Sequence, residues 1–147
     1  MATPFLFDAG QVLTANQLNS IGAWQDYTPT HNWSSITTNQ ARYAEINGLV
    51  FVKVRFTLGA TPSGTMQVSL PITISDTVNV SGVCNQGFAY DSSDDESYSI
   101  QMFKSGTNIQ AVTGDRDPHA TVTHSVPFTW ASGDTCQFLA IFELAPS

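Results

Sequence analysis

Charge is what this sequence has least of. Only 12% of its 147 residues are Asp, Glu, Lys or Arg, about half the ~25% usual in globular proteins. Five Lys and Arg face twelve Asp and Glu, for a net charge of -7. A nucleic-acid surface needs clustered cations to displace counterions from phosphates. Arg42, Lys53 and Arg55 lie near one another, but Glu45 interrupts them, so a nucleic-acid partner is excluded. Long apolar runs are also missing: no segment approaches the ~20 residues that span a bilayer, which excludes helical membrane insertion. The opening Met1–Asp8 has neither a basic start nor the long apolar stretch of a secretory signal, so the chain is expected to be made in the cytoplasm and used without that export route. Two cysteines, Cys84 and Cys136, are too few for a disulfide framework. Both sit in apolar, strand-like surroundings and are expected to be buried free thiols, with a disulfide as the alternative. Catalytic signatures are missing as well. There is no Gly-x-Ser-x-Gly elbow, no His-Glu-x-x-His and no glycine-rich phosphate loop. The sequence therefore predicts no enzyme, no catalytic residue and no cofactor.

What fills the charge deficit is Ser, Thr, Asn and Gln, a composition suited to pleated sheet surfaces. One helix signal precedes the strands. Thr14-Ala-Asn-Gln17 is a capping box, in which Thr14 caps the Gln17 amide and Gln17 reaches back; Leu13 and Leu18 are spaced as a hydrophobic staple. The helix is predicted from about Ala15 to Ile21, stopping at Gly22. A helix this short is marginal alone and needs a partner surface. Residues 1–22 therefore read as an attachment arm, with Phe5, Phe7, Leu13, Thr14, Gln17, Leu18 and Ile21 as its working residues.

From residue 23 onward the period changes to two. Strands are predicted at 41–47 and 49–58 around an Asn47-Gly48 turn, then at 65–70, 78–90, 97–104, 107–113, 120–130 and 135–144. On the 49–58 strand, Val50, Val52, Val54, Phe56 and Leu58 share one face. On the last strand, Cys136, Phe138, Ala140, Phe142 and Leu144 do the same. Many short strands with turns roughly every 10 residues predict an all-β fold, a β-sandwich or jelly-roll-like knob over residues 23–147.

Few side chains suggest a site. Asp91-Ser-Ser-Asp-Asp-Glu96 offers oxygens to a hard cation, but lacks EF-hand spacing and its glycine, so it reads as a solvated loop. Asp115-Arg-Asp-Pro-His119 with His124 reads as a polar loop, because Pro118 disfavours a regular strand and no complete ligand set is present. No metal site is predicted. Trp24, Tyr27, Trp33 and Tyr43 form an aromatic group where the strands begin; Trp33, between Asn32 and Ser34, is expected to be the exposed one. Trp33 with Asp91, Asp94, Asp95 and Glu96 are the candidates for surface recognition.

The order of several short elements carries a resemblance. Val12-Leu-Thr-Ala-Asn-Gln-Leu-Asn19, Trp24-Gln-Asp-Tyr-Thr-Pro-Thr30, Ala41-Arg-Tyr43, Ile46-Asn-Gly48, Phe56-Thr-Leu-Gly59, Val68-Ser-Leu-Pro71 and Val126-Pro-Phe-Thr-Trp130 followed by Gly133-Asp134 together resemble small virion surface proteins of tailed bacteriophages, of the head-decoration, minor-tail or tail-fibre-knob type. The resemblance implies a jelly-roll-like knob, often homotrimeric, attached to the particle through its N-terminal segment, and brings no catalytic residues. The implied partners are further copies of the chain, other phage structural proteins of capsid or tail, and a host surface glycan; the implied location is the virion. The short span between helix and first strands favours a capsid decoration (cement) protein, and a short tail fibre for host adhesion is the alternative.

Overall fold

The computed structural model describes residues 12, 14, 15, 21–74, 85–114 and 120–144. Phe5, Phe7, Leu13, Gln17 and Leu18, most of the expected helix, Cys84 and the 115–119 segment lie outside these residues. Between residues 21 and 144 the described chain contains no helix. It is all-β, with eight strands: β1 (Gln25–Asp26), β2 (Ile36–Ile46), β3 (Leu49–Leu58), β4 (Val68–Ser69), β5 (Gln86–Asp91), β6 (Glu96–Ser105), β7 (Asn108–Thr113) and β8 (Thr135–Glu143).

All eight belong to one antiparallel sheet in the order β1-β2-β3-β8-β5-β6-β7-β4. The sheet curls, and residues 25–32 connect its two ends. At its start this segment pairs with β2, where Gln25 faces Tyr43 and the Tyr27 amide donates to the Ala41 carbonyl. Further on it meets β4: the Ser69 amide donates to Thr30 O, the Asn32 amide to Gln67 O, and His31 bridges to Val68. Both outer strands of the order thus find hydrogen-bond partners, which removes most of an exposed sheet edge and its tendency to recruit other chains.

The β2–β3 hairpin forms where the sequence places it. Asn47 and Gly48 both take positive φ, 49° and 79°, the pair of values a type I′ turn demands and that Asn-Gly tolerates best. β3 is then locked between β2 and β8, and its register with β8 is continuous, from Leu49 opposite Glu143 to Thr57 opposite Thr135. The alternation follows the sequence: Val50, Val52, Val54, Phe56 and Leu58 are buried with Cys136, Phe138, Ala140 and Phe142 from β8. Ile100 and Met102 of β6 and Ile109 and Ala111 of β7 extend this core. Each such side chain contributes roughly 1.5–3 kcal/mol on burial. At Gly87 the inward face of β5 has no room for a side chain: a Cβ there would sit 2.6 Å from that of Phe138.

Other boundaries differ from those predicted. β2 begins at Ile36 and accommodates a bulge between Thr38 and Gln40, which the alternation of 41–47 did not reveal. The 65–70 strand reduces to a bridge at Thr65 and the two residues of β4. Residues 120–130 are not a strand. They make only isolated bridges, Thr121 to Val112 and Thr123 to Thr65 and Val126, and the Val126-Pro127 peptide is cis; a proline without an amide proton cannot continue a ladder.

Cys136 is a fully buried free thiol whose Sγ lies 3.9 Å from the Met66 sulfur, and burial raises its pKa well above the usual thiol value. Because the thiolate is the reactive form, Cys136 is expected to resist alkylation in the native protein and to react fully in denaturant. Peptide mapping after iodoacetamide treatment checks this.

Candidate functional surfaces

The strand register gives the molecule two distinct ends. β3 runs between them, a distance of roughly 30 Å at ~3.3 Å per residue. One end holds the Asn47-Gly48 turn, the point where the N-terminal segment meets the sheet. Here Gly22, with φ 68°, packs so closely on Ile46 that a Cβ would lie 2.8 Å from its Cδ1. Ile21, Trp24, Ile46 and Leu49 are 37–49% exposed, and Ile46 and Leu49 are cross-strand partners. Four large apolar side chains are thus solvent-facing around one turn. Of the predicted arm residues, the structure places Ile21 in this group; Thr14 is exposed.

The opposite end carries the acidic hairpin between β5 and β6. Asp94, Asp95 and Glu96 are exposed there, as expected. Asp91 is not a surface residue. It is buried, and its Oδ1 accepts hydrogen bonds from the Ser93 hydroxyl and amide and from the Asp94 amide. The Ser93 hydroxyl and the backbone amides hold its pKa below the usual carboxylate value. Asp91 therefore serves the turn's geometry, a role anticipated for Asp in such loops. The hairpin is tied down from a distance by buried Asp134. Its Oδ1 accepts from the Ser92 amide and hydroxyl, both at 2.9 Å, and its Oδ2 accepts from the Ala131 amide. Tyr90 donates to Asp95 at 2.8 Å and Tyr98 to Glu96 at 2.7 Å, and these carboxylates raise both phenol pKa values.

Trp33 corrects another expectation. It is 3% exposed, with its ring edge-on to Trp130 at 5.2 Å and its Nε1–H donating to Gly64 O. Its polar neighbours misled because Asn32 is itself a clamp: its side-chain amide donates to Thr65 O, and its Oδ1 accepts from the Gln67 amide. Trp130, Phe128 and Tyr98 continue the ring series at 4.5 and 5.1 Å. Trp33 belongs to the core, and the aromatic residue exposed near the N-terminal segment is Trp24.

One open groove, of about 580 Å³, forms where residues 26–29 diverge from β2 at its bulge. Asp26, Thr28, Asn39, Gln40 and Arg42 line it. Arg42 Nε lies 2.9 Å from Asp26 Oδ1 but is not aimed to donate, so this is a Coulombic pair rather than a hydrogen bond. The neighbouring Tyr27 hydroxyl is buried without a partner, and burial raises its pKa. Among the described residues no three His, Cys, Asp or Glu side chains converge on a metal position, and none of the described helices is long and apolar enough to cross a membrane.

No family model, curated protein or solved structure matches this chain. Its reading rests on the two ends and the faces between them.

His31, beside the groove, gives a pH test. Its ring packs edge-on to Phe56 at 4.9 Å and its Nε2 lies 3.1 Å from Thr38 Oγ1. Burial lowers its pKa below 6.5. The folded state therefore binds this proton less readily than the unfolded chain, so the stability His31 confers is complete above pH 6.5 and declines as pH falls below it. Asp91, with a lowered carboxylate pKa, behaves alike below its own ordinary value of 3.8. Urea unfolding across pH 7 to 3 is expected to show both losses, and His31→Gln is expected to remove the upper one.

Proposed function

We propose that this chain is a non-enzymatic structural protein on the surface of a tailed-phage particle, attached through its N-terminal arm and serving as a capsid decoration protein. The observation that carries the reading is the division of the molecule into two ends. The N-terminal segment joins the sheet beside four exposed apolar side chains, Ile21, Trp24, Ile46 and Leu49, while the far end presents Asp94, Asp95 and Glu96. A protein held at one end needs apolar area there, worth ~25 cal/mol per Å² buried, and a hydrated outer end. The all-β body supports the same reading, to which we add, as a proposal, the finer architecture of a β-sandwich or jelly-roll-like knob over residues 23–147. The resemblance in the order of the short sequence elements supplies the word phage.

On this reading the partners are capsid proteins and further copies of the chain. The homotrimer implied by the resemblance multiplies a modest arm affinity by avidity. A short tail fibre that binds host glycan is the second reading, favoured by the polar groove lined by Asn39, Gln40 and Arg42. Copy number separates the two. Quantitative mass spectrometry of purified particles is expected to give copies on the scale of the capsid lattice. A number on the scale of the tail would transfer the protein to the fibre class, and absence from the particle would end both readings.

A further inference from the structure

The outer face of the sheet carries a second asymmetry. Three of the five Lys and Arg in the chain, Arg42, Lys53 and Arg55, point outward from neighbouring positions on β2 and β3. Arg42 is matched by Asp26. Lys53 and Arg55 are exposed and have no ion-pair partner among the described residues. Lys53 stands opposite Leu139 of β8; Arg55 stands opposite Gln137, which in turn faces Phe88 of β5. Phe88 and Leu139 are 37% and 40% exposed, unusual for large apolar side chains at the centre of a sheet face. From Phe88 the same face continues through Tyr90 to Asp95, which Tyr90 holds by its hydroxyl. The surface thus runs from two cations, across an apolar centre, to an acidic hairpin.

We infer that this face binds a second copy of the same chain across a two-fold axis. An isologous contact requires one patch that complements itself after a half-turn. An axis lying in the plane of the contact, parallel to the sheet face and passing between β8 and β5 near Gln137 and Phe88, meets this requirement, because a half-turn about it sets the face against its own copy. Lys53 and Arg55 lie on β3, beyond β8 on one side of it, and Asp94 and Asp95 lie in the hairpin beyond the end of β5 on the other. The half-turn sets the cations of each copy against the hairpin of the other and buries Phe88 and Leu139 between them. The occupant follows from charge complementarity. Lys53 and Arg55, without an ion-pair partner among the described residues, are matched by the exposed carboxylates of the hairpin, which the Tyr90 hydroxyl ties to the same face through Asp95. With strands ~4.8 Å apart, a face about four strands wide gives an interface at the small end of the usual range. Association is therefore expected at micromolar rather than nanomolar concentration. The contact does not depend on attachment to a particle, and it pairs the chains two by two where the resemblance implies a homotrimer.

Sedimentation equilibrium of the full chain tests it. The wild-type protein is expected to reach the mass of two chains at about 50 mM salt and to bind roughly tenfold more weakly at about 500 mM, as screened ion pairs require. Lys53→Glu/Arg55→Glu is expected to be monomeric, and Asp94→Lys/Asp95→Lys likewise. An equimolar mixture of the two variants is expected to dimerise again, since each supplies the charge the other has lost. Circular dichroism checks that both variants remain folded. A wild-type chain that stays monomeric at low salt, a wild-type mass of three chains, or a dimer unchanged by the charge reversals would overturn the contact.

Discussion

Replacing Trp130 with alanine is expected to destabilise the fold by about 3–5 kcal/mol, the range for removing a large aromatic side chain from a well-packed interior. Trp130 is completely buried and stands at the centre of a ring series. Trp33 packs on one side at 5.2 Å and Phe128 on the other at 4.5 Å, while Nε1–H donates to Val126 O. Removing the ring leaves a cavity that strand backbones cannot collapse to fill, deletes the ring contacts on both sides, and leaves Val126 O without that donor. Trp33→Ala is expected to cost somewhat less, because Trp33 packs against one ring of the series and Trp130 against two. The two costs should not add, since the rings touch each other. Urea denaturation of both single variants and the double variant measures the coupling directly. A Trp130→Ala protein as stable as the wild type would show that the ring series is not part of the folded core.

Asp134→Ala is expected to cost about 2–4 kcal/mol, from the loss of hydrogen bonds to a charged group and the desolvated donors left behind. The carboxylate accepts from the Ser92 amide, the Ser92 hydroxyl and the Ala131 amide, so it fastens two loops that are far apart in sequence. It is 1% exposed, so water cannot take over those contacts without the end of the sheet opening. Asp134→Asn retains an acceptor oxygen at one position only and is expected to fall between wild type and alanine. Hydrogen exchange separates this effect from a general loss of stability. The amides of Ser92 and Ala131 should lose protection first in Asp134→Asn, while those in the β3–β8 ladder keep theirs. Uniform loss across the sheet would contradict the role given to Asp134.

The elements readable in the sequence are those whose alternation survives at both surfaces. β3 and β8 carry unbroken inward series, and Asn47-Gly48 fixes their register at one end, so strands, turn and buried face all emerged from the residues. β6 and β7 followed from the same alternation around Ser105 to Asn108. The failures have physical causes. Residues 120–130 look like a strand because Val122, Phe128 and Trp130 are apolar, yet only the stretch around Val122 pairs, through isolated bridges, and Phe128 and Trp130 are buried by packing a loop. Trp33 looked exposed because Asn32 and Ser34 flank it, whereas Asn32 spends its side chain bonding residues 65–67. Asp91 looked like part of an exposed acidic run, whereas its position just before Ser-Ser-Asp is that of an Asx turn. That signal was present and was outweighed by the charge count. The acidic hairpin was legible as a surface feature; the Lys53–Phe88–Asp95 face was not. It exists only once β3, β8 and β5 are known to be neighbours, which is a property of the sheet order.

Binding of the chain to particles that lack it, with and without residues 1–22, tests the central claim most directly. The full chain is expected to co-sediment with the particles. The chain starting at residue 23 is expected to unfold cooperatively, with a melting temperature close to that of the full chain, and to remain in the supernatant. A truncated chain that still co-sediments would contradict attachment through the arm, and one that no longer folds would place the arm within the core.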